Sequence, residues 1–295
     1  IVNFWSSANT VFAVILLAAS WFSMEYSGFS RYWIALPLGI VMFFFIIDIF
    51  EARIKILLMI FALGFFTYDY FMYTLLPEQD ILRMVFTGIF LIGGLLFLIP
   101  GFAYKGQRQG MYPMLALMFT GLAILLRAES LLGFFIGWEL MTVGSYMLVL
   151  RGRKARKPAF WFIMFSLLGA YLMMAGFGMV MADAGSMSLQ AFAMAGPMAI
   201  ILVAAGFMVK IATIGLHIWL PASYAEADDD VTPIISAILI KSGVFGLIIL
   251  LMNAGSSLSG AVDIPYILGW AGALTAILGN VMAILQEDVK KLLAY

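Results

Sequence analysis

An all-helical integral membrane protein is the fold class this sequence predicts. Three observations predict it: the composition, a series of long apolar runs, and the uneven placement of cations between those runs. Of 295 residues, 64% are hydrophobic and 11% are charged, where a soluble domain carries roughly 25% charged residues. No water-soluble fold of this length hides so much apolar surface. Barrel strands would alternate over about ten residues; these runs are continuous and about twice as long, so helices are predicted.

A bilayer core about 30 Å thick needs roughly 20 apolar residues per helix. Taken in order, spans are predicted at 4–24, 31–49, 54–76, 81–101, 111–127, 130–150, 158–182, 191–218, 231–252 and 264–285, and an eleventh starts near 288. Pro77, Pro100, Pro113, Pro158, Pro233 and Pro265 fall at span ends, where helices tolerate proline. Pro37 and Pro197 lie inside spans and are expected to kink them.

The loops then sort by charge. One alternate set holds Arg53, Lys55, Lys105, Arg108, Arg151, Arg153, Lys154, Arg156, Lys157, Lys290 and Lys291; the other holds only Arg31, Arg83 and Arg127. Eleven against three is a strong positive-inside bias, and one miscounted helix would scramble it. It predicts a multi-pass protein of a prokaryotic inner or plasma membrane, with the N-terminus and the 151–157 loop "RGRKARK" cytoplasmic. The acidic loop "EADDD", 226–230, falls on the same side. The chain opens on Ile1, without a basic n-region, and closes on "KKLLAY"; a fragment with no cleavable signal peptide is expected.

Several function classes are excluded. With no cysteine and one histidine, His217, the chain cannot itself hold an iron–sulfur cluster, a thiolate zinc site or a bis-histidine haem. No metal-ligand spacing, Walker loop or nucleophile elbow is present. "GLLFLIPGFAYKGQRQG" contains glycines but follows no strand, so it is not a dinucleotide site. No basic stripe exists for nucleic acid.

Of the 16 Lys and Arg, two lie inside spans: Lys210 and Lys241. Glu139, in "GWELM", lies inside another. A charge near the bilayer centre costs at least about 2.5–3.5 kcal/mol on insertion scales and marks a functional candidate by default. Three ionisable groups of both signs at similar depth predict a buried polar layer. A purely structural set of ion pairs would need matched charges, and here two lysines face one central carboxylate; such pairs also gain little over apolar packing. The alternative is a proton relay, which suits lysine because its proton affinity responds to burial and to neighbouring charge. His217, in "TIGLHIWLPASYAEADDD", reads either as a satisfied interface residue or as a proton carrier. Gly206, Thr213, Gly215 and Pro221 predict an interrupted helix over about 206–221, as occurs where backbone lines a polar cavity or is buried in protein. Asp48 and Asp69 are weaker candidates: Asp48 ends its span, and tyrosines beside Asp69 in "TYDY" are expected to satisfy it. Asp228, Asp229 and Asp230 read as a solvated loop or helix cap.

Four motifs occur in order: "GWELM", "VK" followed by "LHIWLP", "LIKSGVFGL" and "QEDVKKLLAY". Over roughly 81–295 the chain resembles the antiporter-like membrane subunits of respiratory complex I, shared with Mrp cation/proton antiporters and membrane-bound hydrogenases. The resemblance implies the first repeat of an inverted-repeat fold, apparently truncated at its C-terminus, with 1–80 as additional N-terminal helices. It implies that Glu139 is the glutamate that partners a lysine, that Lys210 is that lysine on a broken helix, that Lys241 passes protons onward, and that His217 is the histidine of "LHxWLP". It implies a non-redox subunit of an ion-translocating oxidoreductase, moving protons, or Na+ or K+ against protons, among other membrane subunits, with flavin, iron–sulfur clusters or quinone held only in partner subunits. The Mrp antiporter, or a non-pumping scaffold in anion or inorganic-carbon uptake, is the alternative implied. Two departures stand out. The loop after "WLP" reads "ASYAEADDDVTPIISA" rather than a pattern like "DAxxxAPTPVSA", which points to a divergent, hydrogenase-like branch, and one more span than expected precedes "GWELM".

Overall fold

The fold is described from a computed structural model over residues 32–72, 80–255 and 263–295, with side chains from residue 39. The predicted span at 4–24 and the loop cation Arg31 lie outside the described residues.

The chain is helical along the described residues. The helices are α1 (Tyr32–Ile46), α2 (Ala52–Tyr70), α3 (Ile81–Ala103), α4 (Met111–Arg127), α5 (Leu131–Leu150), α6 (Arg156–Ala184), α7 (Pro197–Ile211), α8 (Trp219–Glu226), α9 (Thr232–Ala254), α10 (Ile264–Ile284) and α11 (Val289–Ala294). Five of them (α3, α5, α6, α9 and α10) are long and apolar enough to cross a membrane. The predicted spans 81–101, 130–150, 158–182, 231–252 and 264–285 match these five closely. Pro197 does not kink a helix. It sits in the first turn of α7, where its missing N–H costs nothing, and a 3₁₀ segment, Leu189–Met194, precedes it.

Among the described residues, those up to Arg127 together with Ile136–Gly144 form one compact unit, and those of Ala128–Phe135 and Ser145–Tyr295 form another. In the first unit α4 is the centre, buried over nearly its whole length. The middle of α5 packs on it through glycines. A Cβ on Gly121 would lie 2.3 Å from the Met141 nitrogen, and one on Gly137 would lie 2.8 Å from the Gly121 carbonyl oxygen. Without a hydrophobic drive between helices in lipid, such backbone approach supplies the packing.

Two of the ion pairs in this unit correct expectations. Lys55 is not a solvated loop cation. It lies in the first turn of α2, fully buried, and its Nζ donates to Asp48 Oδ1 at 2.9 Å, to the Asp48 carbonyl at 3.0 Å and to the Gln107 carbonyl. Asp48 Oδ2 accepts from the Gly110 N–H at 2.7 Å. The pair therefore ties the end of α1 and the start of α2 to the loop before α4. Asp69 is met by Arg127 at 3.4 Å rather than by its neighbouring tyrosines; the Arg127 guanidinium lies 4.3 Å from the centre of the Tyr70 ring.

In the second unit α7 packs along α6 and across α9. Gly206 and Gly169 meet backbone to backbone, each Cβ position lying within 3.0 Å of the other's carbonyl oxygen. Phe134, at the start of α5, is a ring hub that touches Phe177, Phe207 and Phe245.

Candidate functional site

The predicted interruption is real, but shorter than 206–221. α7 continues through Gly206, which is a packing residue, and Pro221 lies inside the first turn of α8. The break is confined to 212–218. It begins where Ala212 adopts a left-handed conformation, φ 59°, and its N–H returns to the Val209 carbonyl at 3.2 Å.

A break inside an apolar layer exposes backbone groups that water would otherwise satisfy. Here the chain's own side chains do so. The Thr213 hydroxyl donates to the Met208 carbonyl at 3.3 Å. Thr275, on α10, accepts the Ile214 N–H at 3.1 Å. The Trp219 indole reaches back across the break and donates to the Val209 carbonyl at 3.2 Å. Gly215, φ 87°, supplies the turn, and its N–H donates to His217 Nδ1 at 3.3 Å.

Lys210 is the second-last residue of α7 and is 2% exposed. The last turn of a helix carries partial negative charge, which suits a cation there. Its Nζ lies 5.0 Å from the centre of the Phe162 ring, and Phe162 meets Trp219 edge-on at 5.1 Å. Buried lysine, aromatic ring and break-spanning indole thus form one cluster. Phe162, Trp219 and Thr275 are not among the candidates that sequence patterning singles out. The signal for Trp219 was its place in "LHIWLP", directly after the break; Phe162 and Thr275 carry no such signal.

The other predicted residues are placed differently. Lys241 is exposed on the second unit, with Nζ bonded to the Ser236 carbonyl at 3.2 Å. The reason is packing: Gly243 and Gly246 press against Phe207 and Ile211 of α7, and a residue two positions away points about 200° round the helix. Ser236 lies in a π-helical stretch, Ile235–Leu239, inside α9. Lys241 therefore does not share the interior of Lys210. His217 is half-buried at the end of the break, with its ring 5.7 Å from that of Tyr295. Glu139 is half-buried in the part of α5 that belongs to the first unit; Gly137 turns towards α4, so Glu139 faces away from that helix.

The acidic loop is solvated at Asp229 and also carries ion pairs. Lys290 Nζ reaches Asp229 Oδ1 at 2.6 Å and the Ala227 carbonyl at 2.9 Å, and Arg151 approaches Asp228 at 3.9 Å. The Lys290 hydrogen bond and its charge hold the Asp229 carboxyl below its usual range.

This is a polytopic helical membrane protein with a buried lysine at a broken helix. The chain belongs to the NADH:quinone oxidoreductase/Mrp antiporter transmembrane family, whose model matches residues 128–295. NADH-quinone oxidoreductase subunit N of Methylococcus capsulatus is 26% identical over 243 residues, covering 75% of this chain and 48% of that protein. A chain of respiratory complex I from Thermus thermophilus superposes with a TM-score of 0.67 at 21% identity, over 99% of this chain and 61% of that one; at this identity the likeness is one of fold. The membrane-bound sulfane sulfur reductase, an archaeal respiratory membrane complex, gives a TM-score of 0.64 at 29% identity, over 73% of this chain and 37% of that one. The chain spans about half the length of the curated relatives it matches.

Proposed function

We propose that this chain is a membrane subunit that translocates protons inside a redox-driven complex of the NADH-quinone oxidoreductase or membrane-hydrogenase type. The observation that carries the reading is Lys210, an ionisable group buried at the end of a broken helix in a family of ion-translocating subunits. A proton taken up from the cytoplasmic side, where the 151–157 loop lies, loads Lys210. Glu139, half-buried in α5, is a second ionisable group of the relay. His217, at the far end of the break, relays the proton. The driving force comes from partner subunits, which hold the flavin, iron–sulfur clusters or quinone.

Replacing Lys210 or Glu139 by alanine in the intact complex leaves electron transfer partly in place and abolishes coupled pumping into membrane vesicles. Unchanged pumping would overturn the reading. The family name also covers Mrp antiporters, and that second reading makes a separate prediction: Na+- or K+-dependent pH changes in vesicles without any redox substrate. Co-purification of a quinone-reductase or hydrogenase module separates the two.

A further inference from the structure

The loop between α5 and α6 is held from inside by three residues. Arg151 faces Asp228. Gly152 lies so close to the next segment that a Cβ would stand 1.8 Å from the Glu226 carbonyl oxygen. Ala155 is 1% exposed. With these three turned inward, Arg153, Lys154, Arg156 and Lys157 are all exposed. Among the described residues, no carboxylate forms an ion pair with any of the four. The first turn of α6 contains no acidic residue to offset them.

Below this patch one face of α6 changes character in an ordered way. Lys157 is followed at helical spacing by Trp161, Met164, Leu168 and Tyr171, all exposed, with Phe160 edge-on to Trp161 at 6.1 Å. These positions recur three or four residues apart and so form one stripe. From its cationic end the stripe passes to indole and then to aliphatic side chains. A phospholipid has the same polarity profile along its length: an anionic phosphate, an amphipathic interface and an acyl chain. Tryptophan favours that interface, and clusters of Lys and Arg just outside a span attract anionic headgroups.

We propose that this edge of the second unit is a binding site for an anionic phospholipid. The phosphate sits among Arg153, Lys154, Arg156 and Lys157, and an acyl chain lies along Trp161, Met164 and Leu168. An acidic protein would match the cations but has no use for an apolar stripe running on into the membrane.

The test uses the full chain in nanodiscs of phosphatidylcholine with and without phosphatidylglycerol, and native mass spectrometry of the lipid retained after transfer to detergent. Wild type retains phosphatidylglycerol in preference to phosphatidylcholine. Each cation replaced by glutamine lowers that retention about five-fold; R153Q/K154Q/R156Q/K157Q therefore loses it, while R153K/R156K keeps it. Because removing four cations also weakens the topology signal, W161A/M164A serves as the second variant: it keeps every charge and still lowers retention. Equal retention of the two lipids by wild type would overturn the proposal. So would inorganic phosphate competing fully with phosphatidylglycerol while W161A/M164A has no effect, which defines a soluble-anion site. So would an acidic polypeptide that co-purifies with wild type and is lost from the four-glutamine variant while lipid retention stays unchanged.

Discussion

Replacing Trp219 by phenylalanine tests how the helix break is held. The change keeps an aromatic ring beside Phe162 and removes the indole N–H that bonds the Val209 carbonyl at 3.2 Å. Both residues are almost completely buried, at 1% and 2% exposure, so water does not replace the donor. An intramolecular hydrogen bond contributes about 0.5–1.5 kcal/mol net, and orphaning a buried acceptor costs about 1–3 kcal/mol. The Val209 carbonyl also accepts the Ala212 N–H and is not left bare, so the lower figure applies and the expected loss is about 1 kcal/mol. Trp219→Ala removes the ring packing as well and is expected to cost about 3–5 kcal/mol. Equilibrium unfolding of the purified chain in matched micelles measures both. If Trp219→Phe is indistinguishable from wild type, or as costly as Trp219→Ala, the indole bond is not what spans the break.

Gly121→Ala should cost about 1–3 kcal/mol, because its Cβ would meet backbone of α5 at 2.3 Å and only separation of the two helices relieves it; the same unfolding assay reads this, and a neutral result would mean α4 and α5 approach less closely. Lys55→Met leaves the Asp48 carboxylate buried, at 5% exposure, and should cost about 3–5 kcal/mol; Lys55→Met with Asp48→Asn should recover much of the loss, and a double variant no better than the single one would refute the pairing. Asp229 is held below its ordinary range by Lys290, so its contribution is present above the unfolded carboxylate value, about 4, and is lost as pH falls through the lowered folded value. The difference in melting temperature between wild type and Asp229→Asn should therefore be small, as befits an exposed pair, and should vanish as pH drops below about 4; a difference that grows on acidification would reverse the sign.

Much of this protein is determined by sequence alone. Apolar runs of about 20 residues specify helices because the bilayer core offers no hydrogen-bond partners and only a helix satisfies its own backbone within one segment, and the runs read from the sequence match the five membrane-length helices within a few residues. The segment "ATIGLHIWLP", 212–221, carries the break because Ala212, Thr213 and Gly215 act locally, through left-handed backbone and a hydroxyl that returns to its own helix. What a side chain meets across helices is a different matter. Lys55 and Asp48 read as loop and span-end charges, yet the fold closes them into a buried pair under the loop at 107–110. Lys241, like Lys210, reads as a charge inside a span, and it is the glycines at 243 and 246, pressed against α7, that turn it outward. Thr275, 61 residues along the chain, satisfies the backbone of the break. Depth in the membrane follows from hydrophobic length, which is a property of one helix; the direction in which a charge points follows from which small residues let two helices touch, and that is decided only when both are in place.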